Sequence, residues 1–238
     1  VAGNVGAGTP DSTNYVIDSL RPTATIVVAD PALSAGETSL VTITFSEAVS
    51  GFDNSDLSVP NGTLSAVSSS DGGITWTATL TPTVGVRDTT NLISLNNGGV
   101  ADLAGNAGIG ITNSANLTID TVLPTATIVV ADTALNIGET SLVTVTFSEA
   151  VSGFSNADLT IANGTLSAVS SSDGGITWTA TFTPTNAITD TSNLITLDNS
   201  GVVNASGNAG VGTTDSNNYA IDTMRPTATI VVANDALA

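Results

Sequence analysis

The heptapeptide Ile74-Thr75-Trp76-Thr77-Ala78-Thr79-Leu80 alternates strictly, with Ile74, Trp76, Ala78 and Leu80 on one face and Thr75, Thr77 and Thr79 on the other. A period of two marks a half-buried antiparallel strand. Upstream, residues 23–29 put Ala24, Ile26 and Val28 on one face, and residues 40–49 turn Val41, Ile43 and Phe45 inward. Downstream, residues 91–95 and 116–119 add two more strands, and residues 57–67 read as two short strands around an Asn61-Gly62 turn. Gly, Asn, Asp, Ser and Pro punctuate these runs, and no apolar period of 3.6 persists for three turns. About seven short strands in about 100 residues predict an all-β, immunoglobulin-like β-sandwich. Trp76 and Trp178 belong in its core.

The same pattern returns. PTATIVVA begins at Pro22, Pro124 and Pro226, a constant spacing of 102 residues. Roughly 70% of positions are identical between the two full units, including ETSLVT, TFSEAVSGF and NGTLSAVSSSDGGITWTAT. Such a period is too long for a solenoid repeat and suits an independently folding domain. The expected organisation is the end of a repeat over 1–21, full repeats over 22–123 and 124–225, and the start of another over 226–238, a window cut from an extended tandem array.

Composition removes whole classes of chemistry. The 238 residues contain 21 Asp plus Glu against three arginines, a net charge of −18. That charge repels nucleic-acid phosphate and anionic lipid, and makes cations the natural partners. No Cys or His is present. Thiol nucleophiles, disulfides, His bases and the usual zinc, copper and haem ligands are therefore excluded. Any metal must be a hard ion held by oxygen. No apolar run approaches 18 residues, so no membrane insertion is expected.

PTATI near the repeat start, TFSEAVSGF on the second strand, ITWTATLTP or ITWTATFTP later, VADLAGNAG and a closing IDT before Pro-Thr together resemble bacterial Ig-like tandem repeats. Such repeats occur in giant RTX-type, type I secreted, biofilm and surface adhesins. The resemblance covers the whole chain. It implies a stalk outside the cell, secreted or on the cell surface, which holds terminal binding domains away from the cell; the exact repeat and the short linkers around residues 121–123 predict a monomer, and the absence of His, Cys and Lys predicts no catalysis. It also implies calcium stiffening at the junctions between neighbouring repeats of the chain.

Two strong calcium signatures are missing. No segment fits the EF-hand spacing, and residues 98–102 match an RTX nonapeptide only once per unit. The topology of the sandwich instead gathers acids from separate loops. Residues 46–56 and 100–106 should lie at the base of a unit beside the incoming linker. Asp18, Glu47, Asp102 and Asn106 then form one candidate metal group, and Asp120, Glu149, Asn204 and Asn208 the next, while Asp222 repeats the linker position once more. Oxygen ligands from several short loops are how calcium reaches six to eight coordination. The alternative for the same residues is solvated loop acids and turn formers. Asp53 is replaced by Ser155 one repeat on, and Asp71 and Asp173 precede Gly-Gly as turn residues. Besides a stalk, two functions stay open: modules that themselves bind a glycan or protein, and a spacer in a secreted enzyme.

Overall fold

The computed structural model describes residues 16–233; the remainder of the partial repeats expected at 1–21 and 226–238 lies outside the described residues. The chain divides into two compact units. The first comprises 16–33, 37–83 and 88–119; the second comprises 120–233 together with the short segments 34–36 and 84–87.

Each unit is an open β-sandwich, as its alternating strands require. In the first, Ala24–Val28, Ser39–Phe45, Thr75–Pro82 and Gly62–Leu64 pair in that order, and Ser68–Ser69 adds to the same sheet. The register sets Ile43 opposite Trp76 and Thr42 opposite Thr77, so apolar side chains share one face and threonines the other. Smaller ladders cover the apolar face: Ile111–Asn113 with Ser94–Asn96 and Leu57–Ser58, and Ala32–Ser34 with Leu117–Asp120 and Arg87–Asn91. Val41, Ile43, Leu80, Ile93, Leu95 and Ile119 are buried between them. Each such side chain stabilises the fold by about 1.5–3 kcal/mol. Aromatics close one end: Phe52 stands edge-on to Phe45 and to Trp76, with centroids 5.2 Å apart in both pairs.

The second unit repeats this arrangement. Ala126–Val130, Ser141–Phe147, Thr177–Pro184 and Gly164–Leu166 form its large sheet, and Val143, Val145, Phe182, Ile195, Leu197, Tyr219 and Ile221 share one core. Phe182 and Tyr219, in place of Leu80 and Leu117, meet edge-to-face at 5.0 Å. Ala134–Asn136 joins Tyr219–Asp222 in parallel, whereas the large sheet is antiparallel throughout.

One expectation is corrected. Leu57–Ser58 and Gly62–Leu64 do not pair with each other across Asn61-Gly62; the first joins Ser94–Asn96 and the second joins Thr75–Pro82. Asn61 does adopt the left-handed conformation, φ 54°. Its side-chain amide, however, donates to Asp88 Oδ2 at 2.9 Å and Asn91 Oδ1 at 2.8 Å. The segment is thereby a pinned crossover between sheets and not a hairpin. Among the described residues no helix is long and apolar enough to cross a membrane.

Candidate cation site

The two-residue ladder between Val49–Ser50 and Ala101–Asp102 pulls the loop after the second strand against the late loop. It sets Asp102 opposite Val49, two residues beyond Glu47. Asp18, from the segment leading into the unit, completes a group whose three carboxylates each place an oxygen within 4.8 Å of the others. This is the one such group of three acids among the described residues. Asp102 is 3% exposed, and Asn106 braces it. The Asn106 backbone N–H donates to Asp102 Oδ1 at 2.8 Å, and its side-chain amide donates to Asp102 Oδ2 at 2.8 Å and to the Asp18 carbonyl at 3.1 Å.

These contacts divide the acids electrostatically. Hydrogen bonding, first from the Asn106 side chain, holds the Asp102 carboxyl below the usual range against some loss of solvent. Glu47 is pushed up, first by loss of solvent and then by the charges of Asp102 and Asp18. Arg21 does not relieve the group: its Nη1 donates to the Ala107 carbonyl at 2.7 Å. The cluster is a set of hard oxygen donors carrying a formal −3, and it fits a hard divalent cation.

The equivalent positions in the second unit are built differently. Arg87 Nε donates to Asp120 Oδ2 at 3.0 Å, and its Nη2 donates to Glu149 Oε2. These are the two ion pairs among the described residues. Ser206 Oγ adds a 2.7 Å bond to Asp120 Oδ2. Loss of solvent at Asp120 is outweighed by the bonds from Ser206, the Val122 N–H and Arg87, so its carboxyl lies below the usual range. Asn204 stands where the first unit has Asp102. Its Oδ1 accepts from the Asn208 N–H at 2.9 Å, but its Nδ2 donates to the Val122 carbonyl at 3.1 Å. The Asn208 amide turns likewise to the Asp120 carbonyl, 2.8 Å, and the Val122 carbonyl, 3.1 Å. Asp222, the third linker acid, accepts from Thr189 Oγ1 at 2.9 Å.

With both arrangements resolved, the family model for bacterial Ig-like domains matches the chain twice, over residues 18–119 and 120–221. The chain belongs to the bacterial Ig-like domain family. No curated relative matches it. Among solved structures, the Ig-like repeats align with the Escherichia coli adhesin FdeC at TM-score 0.44 and 14% identity, covering 84% of this chain and 64% of that one. They align with the Yersinia pseudotuberculosis adhesin InvE at TM-score 0.31 and 18% identity, covering 82% and 58%. A pair of titin domains, z1z2, gives 0.27 and 13%, covering 86% and 97%. The chain thus spans less than two thirds of the FdeC and InvE chains.

Other acids of the Ig-like repeats have local work. Asp53 and Asp56 form a reciprocal cap on the 3₁₀ turn Asn54–Asp56, and Ser155 with Asp158 repeats it. Asp71 and Asp173 each clamp a Gly-Gly turn, and the backbone N–H groups of Thr75 and Thr177 are the first cause holding their carboxyls down at about 2. The residue that the sequence reading did not place with these acids is Arg87. Its signal was present: it is one of three basic residues, and the repeat replaces it by Thr189.

Proposed function

We propose that this chain is a stalk segment of a large secreted or cell-surface adhesin, in which Ig-like repeats supply length under tension and neighbouring repeats are one another's partners. What carries the reading is duplication. Both units keep the same β-sandwich, the same Phe-Phe-Trp end and the same turn clamps. A unique active site has no use for such copying; a repeated load-bearing part does.

The cation assigned to this stalk is calcium, at Asp18, Glu47 and Asp102, with Asn106 holding the Asp102 carboxylate and the Asp18 backbone carbonyl. Three carboxylates offer up to six oxygens, and backbone carbonyls or water complete the six to eight that calcium takes. Asp120, Glu149, Asn204, Asn208 and Asp222 mark the same position in the later repeats. Calcium on the first group stiffens the entry into its repeat.

Two measurements test this. In single-molecule pulling, each repeat should open in its own step, releasing the length of 102 residues, about 350 Å at roughly 3.4 Å per residue. One merged step for the whole fragment would remove the load-bearing reading. At matched ionic strength, calcium at a hundredfold over Kd should stabilise the first repeat by about 2.7 kcal/mol, and Glu47→Gln should lose most of that gain. A wild type indifferent to calcium would leave these acids as solvated loops.

A further inference from the structure

The two clusters carry different side chains. The first gathers three carboxylates, formally −3; in the second, two carboxylates meet one guanidinium, formally −1. Asp102 gives way to Asn204, which removes one negative charge, and Arg87 stands against Asp120 and Glu149. Asn204 and Asn208 also aim amide nitrogens at the Val122 carbonyl, while the bond from Asn208 to the Asp120 carbonyl repeats that from Asn106 to the Asp18 carbonyl. Two donors thus occupy a carbonyl oxygen that could otherwise face a cation. The Asp120 and Glu149 side chains are only 19% and 15% exposed, so their charges need a partner close by.

We propose that Arg87 is a resident counter-ion: it takes in the second cluster the place that a divalent cation takes in the first, and so frees that cluster from calcium. The proposal rests on the calcium reading of the first cluster only for the contrast; the arginine's own role stands on the Asp120 and Glu149 contacts. The planar guanidinium reaches two carboxylates through separate N–H groups, as a bridging ion would, yet cannot dissociate or lose its charge at any physiological pH.

The test uses the intact fragment. Calorimetric titration with calcium should give one ion per chain for wild type and for Glu149→Gln, and none for Asp102→Asn. Arg87→Gln combined with Asn204→Asp restores the first cluster's donor set and should raise the count to two. In chelator, Arg87→Gln should lower the melting of the second unit by about 2–5 °C, by the same amount as in calcium. Two ions on wild type, with one lost in Glu149→Gln, would overturn the proposal; the second ion would then sit on Glu149 Oε1, which is buried without a hydrogen-bond partner. No change on Arg87→Gln in chelator would overturn it as well. If wild type binds no calcium while Arg87→Gln still destabilises, the first cluster's calcium reading fails and the resident counter-ion stands. Because Arg87 is 47% exposed at its side chain, the variant removes no core packing.

Discussion

Glu47 shows how little separates a metal ligand from a repelled acid. Its carboxyl is raised by loss of solvent and by Asp102 and Asp18, so the folded state prefers it protonated. The corresponding stability is present below the ordinary value of 4.5 and is lost as pH rises through the raised value. Without calcium, wild type should therefore gain melting temperature relative to Glu47→Gln as pH is lowered from neutrality toward 4.5. With calcium bound, the preference reverses and the gain should vanish. Parallel pH profiles for the two proteins in chelator would show that the three acids do not interact. The sequence displayed these residues and the loops that carry them, because period-two strands fix which loops share an end. It did not display whether each carboxylate would meet a cation, an amide or a guanidinium, since that depends on side-chain directions at separations of up to 88 residues.

At the scale of elements, the large sheet was legible because its strands alternate without interruption: Val41, Ile43, Phe45, Ala78 and Leu80 are all buried. The crossover at Asn61 and Asn163 was not. An Asn-Gly pair looks the same in a hairpin and in a chain that changes sheets, and only the distant partners of the Asn side chain separate the two. Asn163 sits at φ 52° and its amide donates to Asp190 Oδ2 at 2.9 Å and to Asn193 Oδ1 at 2.8 Å. Asn163→Ala loses both bonds and puts in the left-handed region a residue that tolerates it less well than Asn, and should cost about 2–4 kcal/mol. Asn163→Gly loses the bonds without the conformational penalty and should recover about 1 kcal/mol of that cost. Equal destabilisation by Ala and Gly in denaturant melts would show that backbone conformation contributes nothing at the crossover. The Gly-Gly turn at the other end of the long strand is constrained too: in the first unit Gly73, at φ 96°, would place a Cβ only 2.7 Å from the Val49 carbonyl oxygen.

For the whole molecule, the excess of acids was readable at once and its distribution was not. The net charge is −18, part of it borne by side chains committed to caps, clamps and crossovers, and a single arginine supplies both ion pairs among the described residues. Net self-repulsion should respond to simple screening. Raising sodium chloride from about 10 mM, where the Debye length is about 30 Å, to about 150 mM, where it is about 8 Å, should raise the melting temperature of wild type in chelator. The increase should be larger for Arg87→Gln, which lacks the attractive pairs that salt weakens; a fall in wild-type melting with salt would place those attractions above the general repulsion.

Trp76 and Trp178 each stand against a phenylalanine edge and donate the indole N–H to a glycine carbonyl at 3.1 Å. The chain has only these two tryptophans, one per unit and in matching surroundings. Their emission should consequently overlap in colour and brightness while both units are folded. Replacing either one by phenylalanine leaves a chain whose ultraviolet glow reports a single repeat, so the opening of each can be watched separately by light, with no dye attached.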